Sequence, residues 1–320
     1  MNLESPFISP QLAMERLKRG DAVALPTETV YGLAASIEKP KGIEQIFRLK
    51  ARPFFDPLIV HVADFSMVKT VAKSWPPIIE RLCELFWPGP LTVVVEKQMV
   101  VSDMITSGLN TVAVRCPSHP TTLDILRAVG PVAAPSANRF GRTSPTLASH
   151  VIEEFGYDVS VVDGGPCIGG LESTIVQVRG SELQILRPGL ISKAHLRQAL
   201  TDLKMPFEIR GGVAAQTPGS LDHHYQPEIP LVLVENPAQK SVLTALRSFA
   251  HQSGRPHATF QQLMTDARAE IAARRLYAEM RELRTCDFIY VERTAQNSGE
   301  EWEGVWDRLT RASSFKVFCE

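Results

Sequence analysis

The sequence predicts an α/β protein built on an open, mixed sheet and followed by a smaller α/β domain. Three observations carry this. Short β-rich runs recur with helical patterns between them. Several of those runs are continuously apolar rather than alternating, as expected of strands covered on both faces. The texture breaks once, in a stretch rich in Pro and Gly from about 205 to 230, and strand and helix signals then resume.

In order, the predicted strands are AVAL (22–25), LIVHV (58–62), LTVVV (91–95), TVAV (111–114), VAA (132–134), VSVV (159–162), TIVQV (174–178) and LQIL (183–186). Between the first two, GIEQIFRLK places Ile43, Ile46, Phe47 and Lys50 on one helical face at i, i+3, i+4 and i+7. That spacing ends a buried stripe on a lysine, with its stem packed and its amine free to project. Residues 123–129 and 195–203 read as further helices. Beyond the break, LVLVE (231–235) predicts a strand, 239–251 a helix, and 261–284 an amphipathic helix with Leu276, Met280 and Leu283 as its later stripe. Glu270 and Arg274 are spaced there for an i,i+4 pair. FIYVE (288–292) and 303–312 complete a β–α–α–β–α order. The division is therefore 1–204, a linker 205–230, and a second domain 231–320.

Composition excludes several classes. A formal net charge of -1 argues against a protein that coats nucleic acid electrostatically, though not against a local basic groove. Five scattered cysteines without metal-ligand spacing, and no signal-like start, predict reduced thiols in a cytoplasmic protein. HExxH is absent, and the apolar runs are too short to span a bilayer.

The chemistry sits where the strands stop. AVAL runs into Pro26-Thr27-Glu28-Thr29, LIV into His61, TVAV into Arg115, VAA into Pro135-Ser136-Ala137-Asn138, and LQIL into Arg187; a Gly-rich loop leads through Ser173 into TIVQV. Open α/β sheets bind ligands at such ends. Lys50, Arg52, Arg115 and Arg187 with hydroxyls between them make a crevice for anions, because guanidinium forks match phosphate and carboxylate. Taken singly, each is more ordinarily a solvated arginine, a core histidine or a turn glycine. The sequence has neither GxxxxGK[ST] nor GxGxxG after a strand, so a nucleotide would be held by other means.

PTETVYGL, KAR (50–52), DPLIVH, VAVRCPSHP, AAPSANRFGRTSPT, LESTIV and ILRPG, in this order, resemble the YrdC/Sua5 family, the L-threonylcarbamoyladenylate synthases. The likeness runs through 22–191 and resumes at PGSLDHHYQPEIPL, YAEMRELRTCDFIYVE and WDRLTRAS, which points to the long Sua5 type. The resemblance implies an open, twisted sheet with a positively charged concavity and a Rossmann-like C-terminal domain. It implies a nucleotidyltransferase that joins L-threonine, bicarbonate and ATP, with Mg2+ and no organic cofactor, into threonylcarbamoyl-AMP and pyrophosphate. A tRNA threonylcarbamoyl transferase would take the product to adenosine 37 of tRNA, and direct tRNA contact is open.

The same resemblance assigns Thr29, His61, Arg115 and Ser173 to threonine. It assigns Arg52, Asp56, Thr111, Ala134, Ser136, Asn138, Ser144, Arg187 and Tyr225 to ATP, with Lys50 and Arg52 as the catalytic cations and Tyr225 of the HYxP motif as a lid. The chain departs from the pattern at Asp56, where the family usually has Asn. A carboxylate there either repels a phosphate or meets Mg2+. Phe54-Phe55 replaces a polar pair, Leu221-Asp222-His223 replaces basic and aromatic residues, and the second domain is short. The competing expectations are an RNA-binding module of the same fold without adenylating activity, and a related carbamoylating enzyme.

Overall fold

The computed structural model describes residues 5–211, 224–235, 242–263, 266 and 268–319. The chain begins with α1 (Pro10–Arg19), β1 (Val23–Leu25), β2 (Gly32–Ser36), α2 (Pro40–Lys50) and β3 (Ile59–His61). It continues through α3 (Phe65–Val71), α4 (Pro77–Phe86), β4 (Leu91–Glu96), α5 (Asp103–Thr106), β5 (Thr111–Arg115), α6 (Pro120–Val129) and β6 (Val132–Ala133). Then follow α7 (Ala148–Phe155), β7 (Ser160–Val161), β8 (Thr174–Arg179), β9 (Glu182–Arg187), α8 (Lys193–Asp202) and β10 (Glu208–Gly211). The second domain comprises β11 (Leu231–Glu235), α9 (Val242–Gln252), β12 (Phe260–Gln262), α10 (Ala269–Glu282), β13 (Phe288–Arg293), two short 3-10 turns, α11 (Glu303–Ala312) and β14 (Ser313–Phe318).

The first sheet has the order β10-β9-β8-β4-β5-β3-β6-β2-β1-β7 and is mixed, as the sequence predicts. β3 and β5 are parallel, β4 and β8 are parallel to each other, and β5 is antiparallel to β4. β8 is in turn antiparallel to β9. One end of the sheet therefore gathers the C-terminal ends of β3, β5 and β9 with the N-terminal ends of β4 and β8. β4 and β5 are buried on both faces for most of their length, which explains their unbroken apolar runs. α2 starts on Pro40 and buries Ile43, Ile46, Phe47 and Lys50, the four residues of the predicted stripe.

The second sheet is all parallel, in the order β12-β13-β11-β14. Two expectations change here. Residues 260–262 are not the start of a long helix; they pair with β13 as a strand, and the helix begins at Ala269. FQQ lies on an edge strand with no fully buried residue, so no period-2 signal marks it. The order is consequently β–α–β–α–β–α–β, with β12 and β14 added to the expected elements. The ion pair on α10 joins Arg275 to Glu279 at 2.6 Å rather than Glu270 to Arg274. β10 extends the first sheet into the stretch read as linker, and Leu221-Asp222-His223 lie outside the described residues.

Candidate active site

The mixed end of the sheet holds a cavity of about 50 Å³. Its walls are Thr27, Thr29 and Val30 after β1; Arg52, Pro57, Ile59 and His61 around β3; and Arg115 at the end of β5. Ala134, Pro135 and Ser136 follow β6, Glu172 and Ser173 precede β8, Arg187 ends β9, and His224 and Tyr225 come from the linker. The register explains the convergence. His61 and Arg115 are partners across β3 and β5, while Arg115 faces Thr92 across β5 and β4. Thr92 Oγ1 lies 2.7 Å from Ser173 Oγ.

At one end the Arg115 guanidinium is held in place. Its Nη1 donates to Thr29 Oγ1 at 2.8 Å and its Nη2 to Glu28 Oε1 at 2.5 Å. The other Glu28 oxygen accepts from the Ser118 amide at 3.0 Å. Glu28 is thus a splint for Arg115 that the sequence reasoning did not single out, although it stands inside PTETVYGL. Burial, and then the charge of Arg115, push the His61 pKa down to about 3, so the ring is neutral near pH 7. Its Nδ1 lies 3.3 Å from the Ile59 carbonyl oxygen, which only accepts. The proton therefore sits on Nδ1 and leaves Nε2 an acceptor.

At the other end stand Arg52 and Arg187. Arg52 donates through Nε to the Asp56 carbonyl at 3.0 Å and through Nη2 to the Pro57 carbonyl at 2.8 Å. Its Nη2 also lies 2.9 Å from Asp56 Oδ2, with both side chains 4% exposed. That contact is an ion pair without hydrogen-bond alignment, since Oδ2 has no hydrogen-bond donor. Burial lowers the Arg52 pKa and raises that of Asp56, the second against the pull of Arg52, Lys50 and Arg187. Arg187 donates through Nη2 to the Ser173 carbonyl at 3.0 Å and to Ser173 Oγ at 3.2 Å.

Five residues expected at the site do not line the cavity. Lys50 does not project: its amine is buried and donates to the Ser136 and Asn138 carbonyls at 2.5 and 2.6 Å. Burial and the charge of Arg52 drive its pKa well below the usual lysine value. Lys50 thus shapes the backbone that presents Ser136. Asp56 serves Arg52. Thr111 begins β5, four residues before Arg115 and so about 13 Å along the strand. Asn138 spends its amide on the Arg139 and Arg142 carbonyls at 2.7 and 2.8 Å. Ser144 donates to Glu172 Oε1 at 2.6 Å.

Residues 224–226 of the linker are seated against the first sheet's loops. The Gln226 amide donates to the Gly141 carbonyl at 2.8 Å, and Thr143 Oγ1 to the Tyr225 carbonyl at 3.2 Å. Tyr225 is 1% exposed, in the left-handed region at φ 64°, and its hydroxyl is buried without a partner among the described residues. Burial raises its pKa to about 12. His224 is buried too, its Nδ1 unpartnered, and burial pushes its pKa down to about 3.

A model of the Sua5/YciO/YrdC family, described as telomere recombination, matches residues 15–189; one for the threonylcarbamoyl-AMP synthase C-terminal domain matches 191–314. The threonylcarbamoyl-AMP synthase of Pyrococcus abyssi is 39% identical over 72% of this chain and 69% of its own. That of Schizosaccharomyces pombe is 30% identical over 91% of this chain and 85% of its own. The crystal structure of P. abyssi Sua5 complexed with L-threonine has 32% identity and a TM-score of 0.85, covering 97% of this chain and 96% of that one. With both family models spanning nearly the whole length and the fold shared throughout, the chain belongs to the Sua5/YciO/YrdC family.

Proposed function

We propose that the chain is a threonylcarbamoyl-AMP synthase, joining L-threonine, bicarbonate and ATP for the N6-threonylcarbamoyl modification of adenosine 37 in tRNA. The observation that carries the reading is one cavity with two kinds of end. Arg115, Thr29 and neutral His61 suit an amino acid, and the buried guanidinium groups of Arg52 and Arg187 suit phosphates. The relatives bear the same activity in their names, and L-threonine is the ligand named with the P. abyssi structure.

Arg115 takes the threonine carboxylate, and its splint on Glu28 and Thr29 fixes where that carboxylate lies. His61 Nε2 accepts from threonine; a pKa of about 3 makes it a hydrogen-bond acceptor and too weak a base to keep a proton. The threonine nitrogen bonds to the bicarbonate carbon with loss of water, giving an N-carboxylate. A carboxylate oxygen then attacks the α-phosphorus, the bond from that phosphorus to the bridging oxygen breaks, and pyrophosphate leaves. Arg52 and Arg187 offset the charge that grows on the phosphate oxygens, and the cavity holds two anions within reach of each other. No covalent intermediate with the protein is needed.

The described residues do not fit a protein-held Mg2+. They include no group of three or more His, Cys, Asp and Glu placed for a metal. Asp56 is taken by Arg52, Glu28 by Arg115, and Glu172 by Ser144 and Arg308. In this reading any Mg2+ arrives on the phosphates of ATP.

About 50 Å³ is far below the several hundred that nucleotide-sized ligands need. Tyr225 and His224 fill part of that space, so ATP entry displaces these two side chains and Tyr225 closes afterwards. A tRNA-dependent transferase accepts the product. A cytoplasmic setting belongs to the same reading. No helix among the described residues is long and apolar enough to cross a membrane.

The test is pyrophosphate release from ATP and Mg2+, with threonine or bicarbonate omitted in turn. Release that needs both supports the synthase. Release indifferent to either omission sinks it, and no release at all favours the RNA-binding alternative.

A further inference from the structure

The second domain reaches the cavity through Arg308 and Tyr277. Arg308 on α11 is 0% exposed. Its Nε donates to Glu172 Oε2 at 2.8 Å and its Nη1 to the Pro188 carbonyl at 2.8 Å. Glu172 immediately precedes Ser173, and Pro188 immediately follows Arg187. One guanidinium therefore ties together the two loops on which those cavity residues ride. Tyr277 of α10 adds a hydroxyl to Glu172 Oε2 at 2.9 Å, and Ser144 binds the other oxygen. The Arg308 guanidinium also stands 5.1 Å from the centre of the Tyr225 ring, which stacks on Tyr277 at 5.8 Å.

The backbones meet at the same place. A Cβ on Gly189 would come within 2.5 Å of the Glu172 carbonyl oxygen and the Thr174 amide. A Cβ on Gly304 of α11 would come within 2.8 Å of the Gly189 carbonyl oxygen. There is no slack between α11 and the loops. The charges match as well: burial would raise the Glu172 pKa, but Arg308 and Arg187 hold it down to about 2.

We propose that Arg308, supported by Tyr277, is a positioning residue for the adenylation step, so that the C-terminal domain sets the spacing between Ser173 and Arg187. This rests on the synthase reading. The chemistry requires two bound anions to approach within bonding distance, and a small misplacement lowers the rate of that step more than it weakens either ligand. Of the four residues assigned to threonine, Arg308 acts only on Ser173, through its neighbour Glu172; it makes no hydrogen bond to Thr29, His61 or Arg115.

The experiment compares the full chain with Arg308→Met, Arg308→Lys, Tyr277→Phe and Arg197→Ala, measuring kcat for pyrophosphate release, threonine affinity by calorimetry, and Tm. Arg308→Met is expected to lower kcat by about 10- to 100-fold while threonine affinity moves less than about threefold. Arg308→Lys keeps one donor and restores part of the rate, and Tyr277→Phe, which keeps the ring and loses one bond to Glu172, lowers kcat about 3- to 10-fold. Arg197→Ala removes an exposed pair with Glu300, neither of which lines the cavity, and leaves kcat unchanged. A folded Arg308→Met with parental kcat overturns the proposal. So does an unchanged Tyr277→Phe if Arg308→Met fails to fold, or a kcat loss in Arg197→Ala equal to that in Arg308→Met. A parent chain without threonine- and bicarbonate-dependent release overturns the synthase reading itself, and the inference with it.

Discussion

Asp56→Asn isolates the least expected charge near the site. In the resting protein the carboxylate lies 2.9 Å from Arg52 Nη2, and both groups are almost fully buried. The substitution keeps the shape and the two backbone carbonyls that Arg52 also uses. The raised pKa of Asp56 means that burying its carboxylate costs more than Arg52 returns, so the neutral amide should leave folding stability level or slightly higher, in place of the loss of about 3–5 kcal/mol usual for breaking a buried pair. Ligand binding should change more. A phosphate on the free edge of Arg52 would stand about 6 Å from the carboxylate, and two unit charges at that distance repel by about 3 kcal/mol at an effective dielectric of about 20. Some of that gain is lost because Arg52 is less firmly oriented. Metal-free ATP should therefore bind about 5- to 30-fold tighter, equivalent to about 1–2 kcal/mol, and MgATP less so because the metal already offsets the phosphate charge. Titration calorimetry with and without Mg2+, beside urea unfolding, measures both effects. Weaker binding confined to Mg2+ would refute the argument and put the carboxylate on the metal. Unchanged affinity in both conditions would remove Asp56 from the phosphate field altogether.

Tyr225→Phe removes a buried hydroxyl that has no partner among the described residues. It should stabilise the free protein by about 1 kcal/mol in urea while raising KM for ATP, and a loss of stability would show that the hydroxyl is bonded at rest. Lys50→Met keeps the buried stem and orphans the Ser136 and Asn138 carbonyls; KM for ATP should rise more than about tenfold with threonine affinity unchanged, whereas a pure kcat loss would return the amine to the chemistry. Acid should weaken the fold early. His61 and His224 have folded pKa values of about 3 against an ordinary 6.5. Their contribution is intact above pH 6.5 and declines as pH falls toward 3, because only the unfolded chain takes up those protons. At pH 5 the loss is about 2 kcal/mol for each, while Asp56, with its raised pKa, acts in the opposite direction. Urea midpoints at pH 7 and 5 should differ accordingly, and His224→Gln should shrink the difference; equal midpoints would mean these rings take protons in the folded state.

The readable parts of the chain were those whose signal is local. The strands that carry His61, Arg115 and Arg187 announce themselves by apolar runs that end in a polar residue, so the cavity's cations were legible in advance. β2 was not: GLAAS has little β propensity and is a strand because both its neighbours require one. Lys50 was placed on the right face but given the wrong destination. Periodicity fixes which way a stem points, not which carbonyls wait at its end. Glu172 was visible inside LEST only as a motif letter. Its partners lie at Tyr277 and Arg308, more than a hundred residues away, and no window along the chain brings them together.

The strand order has a consequence for how the chain acquires its site. β3, β5, β4 and β8 lie side by side in that order although the chain runs β3, β4, β5, β8, and the cavity needs residues from Thr27 to Tyr225. Such long loop closures are slow, and they reward the chain only when the last segment arrives. The amino-acid end, from Thr29, His61 and Arg115, is all present by residue 118, but Arg187 and Tyr225 come last. Until they arrive the anion end has only one of its two arginines, and on the proposed reading a growing chain has no complete place for ATP.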